Sequence, residues 1–454
     1  MTTRTVPRFA PHDLLHGPLL PTLFRLATPN VLGLFATTIV IGYDGHILGQ
    51  LGADALAGVA LVLPLSMLML QMSAGGIGGA VTAAVARALG AGNRDEAGRL
   101  ALHGLLIGLG LAGVFALVML GWGKEVYSAM GGRGTALDAA LAYSAILFGG
   151  SLVTCWLNVL AAIVRGSGNM VLPSVMMVTT ALIHLATCPL LVFGRGPVPG
   201  LGVVGAAIST LATGTLSIVV MFTYLVRGAG PVRLSLGNWS FRLASLRAIL
   251  RVGAPASLSP ILSNGSIAAT TALIGTYGTA ALAGYGVAAR LEYIMVPIAF
   301  GFGTALTTLV ATNLGAGRHE RALHATWAGG GIVALITGAI GIGAAVMPGL
   351  WMDLFSTDTA VVAFGAGYLH VVGACYGLFG LGLALFFASQ GAGRMFWPLS
   401  GSVARLITIA GGGWLVVHWL KAPPAAFFVL IAIGFAVYAL IIAGAIRLGS
   451  WARA

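Results

Sequence analysis

Charged residues are the scarcest class in this sequence. Only 7% of its 454 residues are charged and 58% are hydrophobic, whereas a typical soluble domain carries about 25% charged residues. So few polar side chains cannot cover the surface of a water-soluble globule of this size. The composition therefore excludes an ordinary soluble enzyme or binding module and indicates an integral membrane protein.

Cysteines are also few, and the three that occur (Cys155, Cys188 and Cys375) lie far apart in apolar stretches. Isolated cysteines of this kind are typical of small core residues, and they form neither a metal-ligand motif nor a disulfide framework. The first 25 residues hold four prolines and no continuous apolar segment, which argues against a cleavable signal peptide. We expect no cofactor, no resident metal and an uncleaved first span.

Twelve stretches have the length and apolarity of membrane-spanning helices, which need about 20 mostly apolar residues. They lack the alternation of apolar and polar residues that marks barrel strands. The predicted fold is therefore an all-α integral membrane protein. The predicted spans are 26–48, 55–80, 100–122, 138–162, 171–194, 202–226, 248–273, 281–311, 324–347, 361–388, 397–419 and 424–446.

The arginine and lysine residues are distributed very unevenly over the predicted loops. Seventeen of the 23 lie at the termini or after even-numbered spans, and four lie on the opposite side. Positive residues accumulate on the cytoplasmic side of membrane proteins, so both termini are predicted to be cytoplasmic. The placement of the charges explains the net charge of +12 without nucleic-acid binding.

The two halves of the chain repeat at a nearly constant offset. Residues 49–58 recur at 275–284, an offset of 226, and residues 89–92 recur at 314–317, an offset of 225. The repeat unit holds six spans, which predicts two pseudo-symmetric six-helix bundles with the same orientation in the membrane. We predict an N-terminal lobe of residues 1–226, a cytoplasmic linker of residues 227–247 and a C-terminal lobe of residues 248–454.

These repeated motifs resemble the multidrug and toxic compound extrusion (MATE) family over nearly the whole chain. The resemblance rests on Tyr43-Asp44 with the segment 49–58, and on the segments 89–98, 164–169, 205–210 and 313–322. It implies a two-lobed fold of twelve helices. It also implies export of organic cations and other toxins, driven by an inward flow of protons or sodium.

Of the eleven acidic residues, only Asp44 and Glu292 fall well inside predicted spans. A charged side chain at the bilayer centre costs about 2.5–3.5 kcal/mol on insertion scales, so it usually faces an interior or a wet cavity. An apolar setting favours the protonated form of a carboxyl group, and such a group can exchange its proton for a cationic substrate. The alternative is a structural acid held by hydrogen bonds between helices.

The resemblance implies that Asp44 is the coupling carboxylate. Relatives often carry Asn at the position of His184 and Asp at that of Cys188, where with Asp44 and Thr210 they form a sodium site. Imidazole and thiol here replace two oxygen ligands, and histidine titrates between about pH 5 and 8. We therefore predict proton coupling through Asp44, His184 and Thr210. His184 as a neutral core residue stays an alternative, and packing is the favoured role of Cys188.

Polar and aromatic side chains within the spans are candidates for the walls of a substrate cavity. Arg290 falls clearly within a span, and its spacing from Glu292 puts the two on different helix faces. The polar and charged candidates could equally serve structure, for instance as interhelical hydrogen bonds, and packing is the favoured role of each aromatic residue taken singly. The predicted cavity residues are Tyr43, Gln71, Asn158, Asn264, Tyr285, Arg290, Glu292 and Tyr376.

The sequence predicts a secondary transporter, because the glycine motifs at 89–92 and 314–317 lack the Lys-Ser/Thr of a nucleotide-binding P-loop. We expect a proton-coupled drug antiporter, monomeric, in the bacterial inner membrane, with drugs, protons and lipid as partners. One alternative is sodium coupling, and another is a lipid-linked oligosaccharide flippase of related fold, which needs a strongly basic cavity. An intramembrane enzyme is not expected, because no catalytic arrangement of side chains is present.

Overall fold

The computed structural model describes residues 11–194, 199–235, 241–449 and 451, and over these residues the regular structure is helical, with no β-strand. The expectation of an all-α membrane fold is confirmed. The predicted linker 227–247 includes residues 236–240, which lie outside the described part, as do Arg4, Arg8, Arg195 and Arg453 of the charge pattern.

Helices of the first half of the sequence are, in chain order, α1 (Pro11–His16), α2 (Leu19–Gly49), α3 (Ala53–Gln71), α4 (Gly79–Gly90), α5 (Arg94–Ala129), α6 (Gly134–Gly149), α7 (Ser151–Gly166), α8 (Val171–Phe193) and α9 (Val203–Val226). Those of the second half are α10 (Leu243–Gly275), α11 (Thr279–Gly315), α12 (His319–Val346), α13 (Gly349–Met352), α14 (Thr359–Val372), α15 (Tyr376–Ala392), α16 (Phe396–Leu406) and α17 (Pro424–Arg447). Wider π-helical turns occupy Met72–Gly78, Ile407–Gly412 and Leu415–Trp419.

Each predicted span coincides with a helix or a helix pair. In the described part of the chain, ten helical segments are long and apolar enough to cross a membrane. The number rises to eleven if the helix pair α6–α7 is counted as one span. That pair bends by 46° at Gly150, where the sequence predicted one continuous span. Helix α10, which covers the predicted span 248–273, falls outside this count, and its sequence carries Asn264 and several serines.

Side-chain caps fix where two of the helices begin. The side-chain oxygen of Asn93 accepts a hydrogen bond from the backbone N–H of Glu96 at 2.9 Å, just before α5. Asp358 does the same for the N–H of Ala360 at 2.8 Å, before α14. Such caps satisfy backbone donors that have no partner within the helix.

The chain divides into two compact units. The N-terminal unit comprises the described residues up to His16 and those from Thr28 to Ser257, and the C-terminal unit comprises Gly17–Ala27 and the residues from Leu258 onward. Each unit has its own apolar core. In the first, Val62, Tyr127 and Phe148 are fully buried, and in the second, Tyr376 and Phe427 are.

Backbone conformations repeat at the offset seen in the sequence. Gly52 and Gly278 both have φ of 109°, and Gly92 and Gly317 have φ of 75° and 74°. These values lie in the region that residues with a Cβ rarely adopt, so glycine is required at these turns in both halves.

Helix contacts repeat in the same way within each unit. The Thr82 hydroxyl donates to the carbonyl of Ala162 at 3.0 Å, and the equivalent Thr307 hydroxyl donates to the carbonyl of Phe387 at 2.9 Å. Beside these bonds, a Cβ on Gly391 would lie 2.7 Å from the Thr307 carbonyl oxygen. Small residues of this kind allow membrane helices to pack backbone against backbone, and the two units therefore use the same internal packing.

Candidate functional site

Asp44 lies in the last two turns of α2, where it contacts His184 of α8. Its Oδ1 atom is 2.8 Å from Nε2 of His184, across 140 residues of sequence. The histidine side chain is 3% exposed and that of the aspartate 21%. The structure therefore brings together two of the three residues predicted to couple transport. The contact is buried on the histidine side and partly exposed on the aspartate side.

The second ring nitrogen of His184 faces a pair of hydroxyl groups. Oγ of Ser209, on α9, lies 3.0 Å from Nδ1, and the Thr187 hydroxyl lies 2.7 Å from Oγ of Ser209. Thr187 in turn donates to the carbonyl oxygen of Ile183 at 3.0 Å. The imidazole is thus held at both nitrogens, between the carboxyl group on one side and a hydroxyl chain on the other.

Cys188 also belongs to this cluster, although the sequence favoured a packing role for it. It follows His184 by four residues on α8, so both side chains lie on the same face. Its fully buried thiol donates to Oδ1 of Asp44 at 3.5 Å. Both neighbours therefore converge on one carboxylate oxygen.

Asp44, His184 and Cys188 place one ligand atom each within 4.8 Å of one another, so these three side chains are the candidate metal ligands at this place. Nitrogen and oxygen ligands about 2.0–2.1 Å from a tetrahedral zinc ion are separated by about 3.3 Å. The observed 2.8 Å between Nε2 and Oδ1 is shorter, and it is an ordinary hydrogen-bond distance. The arrangement therefore fits a shared proton better than a coordinated metal.

Thr210, the third predicted coupling residue, lies beside the cluster. Its hydroxyl donates to the backbone carbonyl of Ala206 at 3.1 Å, one turn earlier on its own helix, and the preceding Ser209 makes the contact with His184 instead. Sequence reasoning missed Ser209, although the two residues are adjacent in the motif 205–210. Tyr43 donates from its hydroxyl to the Leu185 carbonyl at 3.1 Å, which ties α2 to α8 next to the Asp44 contact.

A cavity of about 180 Å³ lies in the groove between α8 and α9, bordered by the hydroxyl-bearing Thr187 and Ser209. The other lining residues are mostly apolar. They are Ile183, Leu191, Ala212, Thr213 and Leu216. The hydroxyl chain therefore lies between His184 and a space that offers few competing hydrogen-bond partners.

Two further predicted cavity residues of the N-terminal unit lie near the π-helical turn that follows α3. Gln71 is half-buried at the end of α3. The side-chain amide of Asn158, on α7, donates to the Ser73 hydroxyl within the π-turn at 2.8 Å. Asn158 therefore serves as a link between helices, and Gln71 remains a candidate for the cavity wall.

The C-terminal unit holds a second carboxylate within its spans. Oε1 of Glu292, on α11, accepts hydrogen bonds from the hydroxyls of Tyr368 at 3.1 Å and Tyr376 at 3.3 Å. The ring of Tyr285 packs edge-on against that of Tyr368, with centroids 5.3 Å apart. Three predicted cavity residues thus meet in one place, but Tyr376 is fully buried and holds the acid.

The sequence singled out Arg290 as the arginine clearly within a span, whereas the arginine that is buried among the described residues of this unit is Arg405 of α16. Arg405 is 6% exposed, and its guanidinium lies 5.5 Å from the Tyr438 ring. Arg290 is exposed, with its guanidinium 5.2 Å from the Phe355 ring. Arg405 lies well inside the predicted span 397–419, but the sequence gave no indication that neighbouring helices would enclose it.

The acidic clusters of the two units are not related by the repeat. The repeat partner of Asp44 is Thr270, whose hydroxyl bonds to the carbonyl of Ser266 on its own helix, and that of His184 is the buried Ile409. Asn264, on the same helix as Thr270, is exposed. The Asp44–His184 arrangement therefore has no counterpart at the equivalent place in the described residues of the second unit.

The sequence matches the MatE family model over residues 29–190 and 255–412. It is 27% identical over 390 residues to a protein named FAD transporter from Shewanella oneidensis, with 83% of each chain covered. It is 25% identical to the probable multidrug resistance protein YoeA of Bacillus subtilis, which covers 87% of this chain and 86% of that protein.

A solved structure shares the fold over nearly the entire chain. It is a MOP superfamily transporter from Pyrococcus furiosus, similar with a TM-score of 0.89 and 25% identity, and the match covers 97% of this chain and 98% of that one. Because the family matches are to transporters, the expectation that the chain is not an enzyme is confirmed. The chain belongs to the MatE family, the multidrug and toxic compound extrusion transporters of the MOP superfamily.

Proposed function

We propose that this transporter is an antiporter that exports amphipathic, often cationic compounds in exchange for protons. The observation that supports this proposal is the bond between Asp44 Oδ1 and His184 Nε2, 2.8 Å long and within the spans α2 and α8. The carboxyl group of Asp44 and the imidazole of His184 can each bind a proton, and at this distance they can share one.

Protons are preferred over sodium because of the atoms that surround Asp44. Sodium binds to hard oxygen ligands, and the nearest side-chain atoms here are an imidazole nitrogen and a thiol sulfur. Imidazole binds a proton in the physiological pH range. Sodium coupling, the alternative, would need further oxygen ligands to move toward Asp44.

The exchange of a proton for a cationic substrate would take place at Oδ2 of Asp44, the second oxygen of its carboxyl group. His184 and Cys188 both contact Oδ1, and within the described residues no hydrogen bond reaches Oδ2. A cationic substrate that approaches Oδ2 stabilises the ionised carboxylate, and it therefore favours release of the proton held with His184. Proton uptake has the opposite effect and expels the cation, so occupancy by one excludes the other.

In the N-terminal unit, Tyr43 and Gln71 are proposed contacts for drug-like substrates. In the C-terminal unit, considered by itself, Tyr285 and Glu292 are proposed contacts. Relatives named for multidrug resistance agree with a broad substrate range. We also propose that the protein acts as a monomer in the bacterial inner membrane, in contact with lipid and with both termini in the cytoplasm.

Transport of an anionic aromatic compound is a second candidate function. A relative that matches 83% of this chain is named FAD transporter, and the buried Arg405 supplies the positive charge that a phosphate would require. The same buried arginine is the feature that a lipid-linked oligosaccharide flippase would need, although one such residue is far from a strongly basic cavity.

Purified protein in liposomes, with pH and sodium gradients imposed separately, provides the test. A lipophilic dye cation and FAD serve as the two probes. We expect an inward pH gradient to drive efflux of the dye and a sodium gradient alone to drive none.

The D44N variant should lose at least tenfold in pH-driven efflux, whereas D138N, which neutralises an exposed acid on α6, should not. Undiminished pH-driven efflux by D44N would remove the proposed coupling. Export of FAD without export of the dye would favour the second candidate.

A further inference from the structure

The predicted linker 227–247 packs on the first turns of α5 where the structure describes it, within the N-terminal unit. A Cβ on Gly98 of α5 would lie 2.8 Å from the backbone carbonyl oxygen of Arg233, so the two backbones approach closely at this point. Val232 and Leu234, on either side of Arg233, are buried. The linker therefore has a defined contact surface on α5.

The side chain of His103, also on α5, contacts the backbone where α10 begins. The ring is fully buried. Nδ1 lies 2.8 Å from the backbone carbonyl oxygen of Arg99, and Nε2 lies 3.0 Å from the backbone nitrogen of Arg242. Arg242 immediately precedes α10, and its carbonyl oxygen accepts hydrogen bonds from the N–H groups of Ser245 and Leu246 in the first turn. One imidazole therefore connects α5 to the start of α10.

Both of these partners of His103 are backbone groups, and each has a fixed role in a hydrogen bond. The carbonyl oxygen of Arg99 can only accept, so Nδ1 carries a hydrogen. The N–H of Arg242 can only donate, so Nε2 presents a lone pair. Rotation of a hydroxyl group cannot reverse either bond, because neither partner is a hydroxyl. The contact therefore requires the neutral ring with its hydrogen on Nδ1.

A second proton on the ring is incompatible with this contact. It would bind to Nε2, remove the acceptor and leave two N–H groups pointing at each other. It would also place a positive charge at the N-terminus of α10, which is the positive end of the helix dipole. Histidine side chains take up such a proton between about pH 5 and 8, so mild acid is enough to break the bond to Arg242.

We infer that His103 is a pH-sensitive switch that holds the linker and the first turn of α10 on α5 while its ring is neutral, and that releases them when the ring is protonated. Acid therefore favours the released state, and neutral or alkaline pH favours the docked state. The switch is separate from Asp44 and His184, and it does not depend on which ion drives transport.

The charged groups near His103 lie on the two segments that it joins. On α5, Glu96 forms an ion pair with Arg99 at 2.9 Å and accepts a hydrogen bond from the Ser245 hydroxyl of α10 at 3.4 Å. Its charge is therefore already compensated by an arginine. On the α10 side, Arg242 adds a positive charge, which opposes a protonated ring.

The helices that pack against α5 at this level present apolar side chains. Beside the adjacent Gly104, the nearest side chains are those of Val81 on α4 and Val159 on α7. The ring of Phe241 lies with its centroid 5.7 Å from that of His103. These hydrocarbon groups cannot accept a conventional hydrogen bond from a protonated Nε2, so they cannot replace the bond that protonation breaks.

The second half of the sequence provides an internal comparison. The repeat partner of His103 is Ala328. The last residue of α17, Arg447, instead places its guanidinium 5.3 Å from the Trp327 ring of α12. Neither of these two side chains titrates between pH 5 and 8, so we expect pH-dependent docking at α5 and not at α12.

The first test is hydrogen–deuterium exchange of the full-length protein in nanodiscs, with mass spectrometry of peptides that cover residues 241–249. Protection factors, corrected for the intrinsic pH dependence of exchange, are compared at about pH 7.5 and about pH 5.5. A histidine in water has its protonation midpoint near pH 6.5. For a released ring of this ordinary kind, protection of the first turn of α10 should fall about tenfold between the two pH values.

Three variants separate the switch from a merely structural histidine. H103Q retains a side-chain carbonyl oxygen that can accept from Arg242 but cannot be protonated in this range, so its protection should not depend on pH. H103L has no acceptor and should show low protection at both pH values. H319Q, which removes an exposed histidine at the start of α12, should retain the wild-type response. A pH-independent wild type, or a wild-type response in H103Q, would overturn the inference.

The second test measures the ring directly. Nitrogen-15 solid-state NMR of histidine-labelled protein separates protonated from unprotonated ring nitrogens, and the spectrum of H103Q identifies the His103 signals. We expect a hydrogen on Nδ1 alone at about pH 7.5 and on both nitrogens at about pH 5.5. A neutral ring with its hydrogen on Nε2 would contradict the assignment and with it the switch.

Discussion

Tyr143 and Tyr368 occupy equivalent positions of the repeat, 225 residues apart, and each lies beside a carboxylate of its own unit. Tyr143 lies within the range of an electrostatic interaction with Asp44, and Tyr368 donates a hydrogen bond to Glu292 at 3.1 Å. The two acids come from non-equivalent helices, α2 and α11. The repeat has therefore kept an aromatic hydroxyl at one place in both units while the carboxylates beside it diverged.

His184 and Asp44 should act as one unit in transport. We expect H184Q to lower pH-driven efflux at least tenfold, and the double variant D44N/H184Q to be no worse than D44N, because groups that share one proton are not additive. The control is H46Q, which removes an exposed histidine on the same helix as Asp44. Additive losses in the double variant would show that the two residues work separately.

Ion selectivity should follow the atoms at positions 184 and 188. Restoring the amide and carboxylate that relatives often carry, in the variant H184N/C188D, supplies two hard oxygen ligands next to Asp44. We expect a sodium gradient to drive dye efflux in this variant and not in the wild type. The single variant C188S, which keeps a small neutral donor near Asp44 Oδ1, should remain proton-driven. A double variant that is indifferent to sodium would contradict the ligand argument.

Glu292 and Arg405 should be coupled in stability. The Glu292 carboxyl group and the buried Arg405 guanidinium lie in the same unit, near enough for an electrostatic interaction but with no ion pair within 4 Å. Removal of one charge takes this interaction away from the other. We expect E292Q to lower the free energy of unfolding by about 2 kcal/mol, and E292Q/R405M to lower it by less than E292Q alone. Thermal unfolding of the four proteins in detergent measures this. A double variant less stable than E292Q would exclude the coupling.

The backbone contacts that repeat in the two units should tolerate no added methyl group. In G391A the new Cβ would lie 2.7 Å from the Thr307 carbonyl oxygen, and in G166A it would lie 2.9 Å from that of Thr82. We expect each variant to lose about 2 kcal/mol or more of stability, because overpacking forces backbone shifts. G110A is the matched control: no atom lies within 4 Å of its added Cβ, and alanine favours a helix by about 1 kcal/mol.

The sequence by itself determined the membrane class, the helix at each span, the repeat and the two intramembrane acids. These follow from composition, from the length of apolar stretches and from the cost of charge in a bilayer. Each of these depends only on the residue types and their order in the sequence. The pairing of Asp44 with His184 was also foreseeable, because the resemblance placed both near one site.

Tertiary structure alone decided which side chains complete each site. Ser209 and Thr210 are adjacent, and successive residues of a helix point about 100° apart, so the rotation of α9 against α8 selects Ser209 as the partner of His184. The same holds for Cys188 at Asp44 and for the burial of Arg405 beside Tyr438. Helix rotation is set by packing between segments far apart in sequence, and no single stretch of residues encodes it.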